Sequence, residues 1–490
     1  MSTTKTADGR SKTGAAPVAP SDTAHYLAEL ARVRAPGRSP GSSLDASLDA
    51  SLDSSLTTWL DPIRDAAMRR FSELGFPTVR DEEWRKTSVA PIAKARFGLQ
   101  TATATQPARG LTAADIARLS FDAAECHQIV FVNGVHAPEL SWLKPLPAGV
   151  VLCRLEEAVA RHRGLVEPFL ARLANPADRA FTALNTAFLR DGLFLHLPDE
   201  SVVPEPIHLL FVTQPAPASA GGAAIMTHPR NLIVAGPGSR ASLVESYVGP
   251  QESEQTAGFT NAVTEISLAR NAVLDHYSLQ RHGQAAFHVA TTQVRQERSS
   301  RYTSHAISLG AALARYDIDV VLAEEGAECT LNGLYMTAGR QQVDFHTTID
   351  HARPNCVSRE LYKGVLDGHS RGVFNGKIIV RTDARGTDSI QANRNLLLSA
   401  DALVDTKPEL QIFNNDVKCK HAAAIGQLDE KALFYLRSRA IGLEAARSLL
   451  IHAFVSDIVG RISVEPLREA LETLLLARLP EYSGVKEAAL

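Results

Sequence analysis

The spacing of apolar positions along the chain changes character three times, and each change marks a segment with its own predicted elements. From residue 56 the run LTTWLDPIRDAAMRRF places apolar residues at helical spacing, and GFPTVRDEEWRKT follows with Gly75 and Pro77 as a stop signal. LTAADIARLSF, RLEEAVARHRG and EPFLARLANP carry the same spacing, so residues 56–190 are read as a mainly helical domain. One run inside it, CHQIVFVNG, reads instead as a strand that turns at Asn133-Gly134.

After Gly192 the texture changes to short runs of alternating apolar and polar residues, such as LFLHLP, IHLLFVT, NLIVAG, ASLVESYVG and AVTEISLA. Residues 191–425 are predicted to be one continuous β region. Within it a turn leading into an alternating strand recurs: SRASLVE at Ser239, RNAVLDH at Arg270, SSRYTSH at Ser299, GAECTLN at Gly326, SRGVFNG at Ser370 and ADALVDT at Ala400. Most copies lie about thirty residues apart, with one longer gap before Ser370, a period that suits the coils of a parallel β-helix. A sandwich would favour tight two-residue hairpins, and NG or DG turns between strands are too few for one.

Residues 426–490 are helical again, with a break at Gly442 and a last helix introduced by Ser463 and Pro466. The stretch around Leu449, Leu450, Ile451 and Phe454 is apolar on more than one face. That pattern fits a partner surface or a helix packed within its own bundle. At the other end, residues 1–55 include the repeat SLDASLDASLDSSL and are predicted to be a disordered, low-complexity extension apart from a helical patch near residues 25–33. The expected fold is therefore mainly β, a parallel β-helix flanked by N-terminal and C-terminal α-helical domains.

Composition narrows the function. A net charge of -3, with 45% hydrophobic and 21% charged residues, describes an ordinary soluble chain with no excess of charge to attract nucleic acid. No apolar run approaches the ~18 residues of a membrane span, and the first residues lack the apolar stretch of a secretory signal, so a cytoplasmic protein without membrane contact is expected. Cys126, Cys153, Cys329, Cys356 and Cys419 are odd in number, scattered and without a CxxC pair, which argues against a disulfide framework.

Several motifs invite chemistry and fail on context. GPGSRA at Gly236 matches a loose dinucleotide fingerprint, but SLVESYVG after it alternates as a strand where a helix is required. GVFNGKI at Gly372 has the wrong spacing for a phosphate loop and Ile378 where a hydroxyl belongs, so the chain is not read as an ATPase. His346 and His351, near Asp344, Asp350 and Cys356, would fall on opposite faces of a strand, and polar residues facing outward from a β-helix account for them without a metal. In NNDVKCKHAAAIG, by contrast, Cys419 and His421 stand two apart and share one strand face, where thiolate and imidazole suit iron. Two ligands do not close a tetrahedral site, so a second protein would supply the rest; the alternative is that both residues only pack.

DTKPEL, DVKCKH and FYLRSRAI, with the upstream ELYKGVLDGHSRGVFNGKIIV and GFPTVRDEEWRKT, resemble the SufB/SufD family of iron–sulfur cluster assembly scaffolds over most of residues 56–462. Lys420 and Ala422 beside the histidine, where the SufB branch places acids, favour the SufD branch. The resemblance implies a right-handed β-helix and a non-catalytic scaffold of the SUF system. It also implies partnership with a SufB-like scaffold and a SufC-like ABC ATPase that hydrolyses the ATP, and a homodimer when the chain is isolated. No tightly bound cofactor is expected, only transient iron or an iron–sulfur cluster at the interface with the SufB-like partner. His421 is implied as the cluster-assembly or iron ligand with Cys419 beside it, and Tyr435, Arg437, Arg439, Leu449 and Phe454 as the region that docks the ATPase. A carbohydrate-active β-helix enzyme, the rival class, would need clustered acids on adjacent coils, for which Asp344, Asp350 and Asp383 are the candidates.

Overall fold

In the computed structural model the described residues are 21–34, 58–100, 110–121, 125–215, 224–249 and 258–479; the SLDA repeat lies outside them. Two sheets run the length of the molecule. The first holds β1 (Phe97–Leu99), β4 (Val151–Arg154), β5 (Leu193–Leu197), β7 (Ala224–Thr227), β8 (Arg230–Ala235), β10 (Phe259–Leu268), β12 (Phe287–Gln296), β14 (Leu313–Leu322), β16 (Gln342–His351), β18 (Arg371–Val380) and β20 (Leu403–Ile412). The second holds β2 (His127–Val132), β3 (Val135–His136), β6 (Ile207–Val212), β9 (Arg240–Val248), β11 (Val273–Arg281), β13 (Arg301–Ser308), β15 (Glu328–Thr337), β17 (Val357–Leu366), β19 (Thr387–Leu397) and β21 (Val417–Gly426). From β8 onward the chain alternates between sheets, and from β10 onward each strand pairs in parallel with the one two places before it. This is a parallel β-solenoid with two faces, and its side chains meet in a core that includes Leu243, Leu274, Tyr302, Tyr316, Phe345 and Tyr362.

The sequence period has a geometric cause. Gly238, Asn271, Ser299, Gly326, Asn355 and Gly386 all have positive φ, between 54° and 72°, at the turn entering successive strands of the second sheet. Glycine or a small polar residue is favoured there because a Cβ crowds the backbone in the left-handed region. The longer gap before Ser370 also resolves. The strand that continues the first four copies is β17, entered through Asn355, whereas the copies at Ser370 and Ala400 lead into β18 and β20 of the other sheet.

Helices cover the start and one side. They are α1 (Ser21–Arg34), α2 (Asp61–Leu74), α3 (Ala90–Lys94), α4 (Ala113–Leu119), α5 (Leu155–Arg161), α6 (Arg163–Val166) and α7 (Ala180–Ala187). Tyr26 of α1 packs edge-on against Phe76 and Phe71 and donates its hydroxyl to the Ile92 carbonyl, so the patch near residues 25–33 is a docked helix. Segment 56–190 also contributes β1–β4 to the sheets, with the Asn133-Gly134 turn joining β2 to β3. EPFLARLANP, read as a helix, is instead a series of turns with Ala171 at φ 58°. The backbone N–H groups of Ala171, Leu173 and Ala174 donate to the carboxylate of Glu265, which holds them out of a helical ladder.

The C-terminal helices are α8 (Glu430–Ser438), α9 (Leu443–Val459) and α10 (Glu465–Leu476). Ile451, Val455, Ile458 and Val459 of α9 join Leu467, Leu471 and Leu475 of α10 against Val244, Tyr277, Ile307, Leu334 and Val365 on the outer face of the second sheet. Ile451 and Phe454 of the apolar stretch on α9 are therefore spent within the chain, on the solenoid and on α10, while Leu449 and Leu450 stay half-buried. Among the described residues no helix is long and apolar enough to cross a membrane.

Candidate functional site

The solenoid ends in an open coil. At its start the sheets are edged by the antiparallel strands β4 and β3, but at the other end β20 and β21 have no fully buried residue. Leu403 is 59% exposed and Phe413 61%, and β21 pairs only with β19, leaving its other backbone edge free among the described residues. A ten-residue parallel edge with apolar neighbours is a template for pairing with another chain.

β21 brings Cys419 and His421 to this end. In-register residues of neighbouring parallel strands point the same way. Cys419 continues the row Cys329, Ser358, Ser389, and His421 continues Leu331, Glu360, Gln391; every earlier member of both rows is buried inside the solenoid. Cys419 is half-buried against the cluster of Ile378, Val380 and Ala384, whereas His421 is exposed. Burial pushes the Cys419 thiol up, and the Asp388 carboxylate adds to the effect. Beneath Cys419, His351 Nε2 lies 2.9 Å from Ser358 Oγ, which lies 2.7 Å from Ser389 Oγ. Beneath His421, Gln391 Nε2 donates to Glu360 Oε2 at 2.6 Å.

The docking residues divide. Tyr435 and Arg437 lie exposed on α8, which has no buried residue, and Arg439 just past its end is also exposed, its guanidinium 5.2 Å from the Tyr435 ring centroid. Phe434 beside them is 74% exposed, a site the sequence reading missed although the FYLR run contains it. Leu449 and Phe454 are half-buried on α9; the Phe454 carbonyl accepts from Lys363 Nζ at 2.8 Å, and its ring lies 4.7 Å from the same ammonium.

His346 and His351 fall on opposite faces of β16, as their spacing requires. The outward reading fails for His351, which is fully buried in the interior because β16 turns its last residue inward. His346 faces outward but is covered by segment 81–87. Its Nδ1 lies 3.1 Å from Glu83 Oε2 and its Nε2 3.1 Å from Asp344 Oδ1. Arg315 reaches Asp344 at 2.6 Å and stacks 4.3 Å from the Trp84 ring centroid. Among the described residues no group of three His, Cys, Asp or Glu side chains could hold a metal ion, and this cluster is a clamp fastening 81–87 to the first sheet.

The clamp has a defined pH window. The hydrogen bond to His346 takes Glu83 down to about 2, despite burial. Burial would lower His346, but the Asp344 charge and the hydrogen bonds to Asp344 and Glu83 outweigh it and raise it. The Glu83 contribution is thus present above the ordinary glutamate value and lost as pH falls through about 2; the His346 contribution is present below the ordinary histidine value and lost as pH rises through its raised value. Amide hydrogen exchange of 81–87, corrected for intrinsic rate, is expected to be slowest between those two ordinary values. His346→Gln should remove the alkaline loss of protection, and protection in the parent chain that does not change with pH would contradict the clamp.

The fold and this end define a parallel β-solenoid protein whose last coil is open and presents a thiol and an imidazole to whatever covers it. The chain belongs to the SufBD family: residues 218–454 match the family model described as SUF system FeS cluster assembly, SufBD core domain, and residues 44–209 match the SufBD protein N-terminal region. It is similar to an iron–sulfur cluster assembly SufBD family protein of Synechocystis, 34% identical over 85% of this chain and 90% of that one. It is also similar to the iron–sulfur cluster assembly protein SufD of Escherichia coli, 28% identical over 84% of this chain and 92% of that one. A chloroplastic protein of Arabidopsis thaliana, ABCI7, is 30% identical over 84% of each chain.

Proposed function

We propose that this chain is a SufD-like, non-catalytic scaffold subunit of cytoplasmic iron–sulfur cluster assembly. The observation that carries the reading is the open last coil, whose β21 edge, free among the described residues, presents Cys419 and His421 beside exposed apolar residues. A second, SufB-like solenoid pairs with that edge, and in its absence a second copy of this chain does so. Iron or a nascent cluster is held transiently between the two, with His421 as a ligand, Cys419 beside it and the remaining ligands from the partner. An ABC-type ATPase docks on the C-terminal helices at Phe434, Tyr435, Arg437 and Arg439 and hydrolyses the ATP.

Docking and assembly are connected through the chain. β21 ends at Gly426 and α8 begins at Glu430, capped by the Asp429 side chain on the Lys431 N–H. A pull on α8 therefore reaches the strand that carries His421 through three residues.

Phe434→Ser together with Tyr435→Ser should cost binding of the ATPase by on the order of tenfold or more, as for loss of exposed aromatic anchors at an interface. Anaerobic purification of the tagged chain from its native cells, followed by mass spectrometry, checks this. The parent should bring down an ABC-type ATPase and a second solenoid, and the double variant only the second solenoid. Recovery of the parent chain alone would refute the assembly role.

A further inference from the structure

The interior row beneath His421 holds an amide with one half unspent. Gln391 is buried and in register with Glu360 on one side and His421 on the other. A carboxylate only accepts, so the 2.6 Å contact to Glu360 Oε2 fixes which end of the amide is nitrogen. Gln391 Oε1 is left buried without a hydrogen-bond partner. An unsatisfied buried carbonyl costs free energy and gains by acquiring a donor. The neighbour one coil further on is His421, whose Cα lies about 4.8 Å from that of Gln391 across the parallel ladder and which makes no hydrogen bond with a described residue.

The opposite sheet is shaped around this amide. Gly376 of β18 faces it, and a Cβ at that position would run into Gln391 Nε2 and lie 2.8 Å from Gln391 Cδ. Thr347 from β16 approaches the Glu360 carboxyl and, with Gln391, holds its pKa down against burial, which pushes it up to about 7. At pH 8 the carboxylate is ionised and the amide orientation is set.

We infer that Gln391, oriented by Glu360 and given room by Gly376, is a positioning residue for His421: its Oε1 accepts one imidazole N–H and thereby leaves the lone pair of the other ring nitrogen facing the open end. The inference rests on the reading of His421 as the ligating side chain. A ligating histidine requires one ring nitrogen bare, and the hydrogen bond made by the other nitrogen decides which one.

The test needs no iron. In the full chain labelled with 15N-histidine, ring-nitrogen spectra at pH 8 are recorded, and the His421 signals are identified by their loss in His421→Asn. The wild-type imidazole should be a single neutral tautomer. Gln391→Leu should lose that pattern and give the mixture of a free imidazole. A mixture in the wild type overturns the inference without any variant having to fold, as does an unchanged single tautomer in Gln391→Leu. A fixed tautomer that depends on Gln391, combined with normal cluster yield from His421→Ala, would leave the positioning intact and refute the ligand role.

Discussion

Glu265→Ala is expected to lose roughly 3–5 kcal/mol of stability, the cost of leaving one member of a buried ion pair behind. Arg230 and Glu265 are both fully buried and meet at 2.7 Å, side by side where the N-terminal helices join the solenoid. Arg230 also donates to Asn185 Oδ1 and Thr186 Oγ1 on α7, each at 3.1 Å. Glu265 accepts from the N–H groups of Ala171, Leu173 and Ala174 at 2.9–3.1 Å. Removing the carboxylate leaves a buried guanidinium without its counter-charge and three amides without an acceptor. The same truncation at Glu328, whose pair with Arg301 is more than half exposed on both sides, should cost less than about 1 kcal/mol. Arg230→Met with Glu265→Leu should recover part of the loss, because well-packed apolar replacements remove the unpaired charge. Urea unfolding of the three variants checks the ordering. Equal midpoints for Glu265→Ala and Glu328→Ala would show that the pair does not hold the two parts together.

The same buried pair marks where sequence reasoning stopped. EPFLARLANP has helical apolar spacing, but its backbone is claimed by a carboxylate 91 to 94 residues further along the chain, and no local pattern reports that. The solenoid was legible because its coils repeat a local requirement: the turn residue before each second-sheet strand from β9 to β19 sits at positive φ, and Gly, Asn and Ser appear there in register. The same recurrence misled where both sheets use similar turns, so that copies leading into β18 and β20 were read as successors of those leading into β9 to β15.

Cys419 and His421 could be placed on one strand face from their two-residue spacing, since alternation fixes the face wherever a strand is regular. Their surroundings could not be read in the same way. Gln391 precedes His421 by one coil and Glu360 precedes Gln391 by another, so subtracting the repeat length along the sequence would have found both once the register was known. Glu83 and His346 meet through a long-range crossing of segment 81–87 over β16, which no local pattern reports. Phe434 stood out of view because a single exposed aromatic within an amphipathic helix looks the same as one that packs.

His421→Ala carries the second large expectation. On the inward face of β21 the neighbours two residues away from His421 are Cys419 and Ala423, and Lys418, Lys420 and Ala422 occupy the other face, so no side chain on that strand can replace the imidazole. Cys419 is partly covered and burial disfavours its thiolate, whereas His421 is exposed. Loss of a ligand should cost at least as much as loss of a residue that supports one, on the order of 10–100-fold. Fold and assembly should survive, because His421 is exposed on the last coil. The direct measurement is anaerobic cluster formation, followed by visible absorbance and acid-labile sulfide, in the complex purified with parent or His421→Ala chain. The account predicts a complex of unchanged composition that forms clusters at least about tenfold more slowly. Normal cluster formation by an intact His421→Ala complex would contradict it and leave the last coil as a docking edge alone.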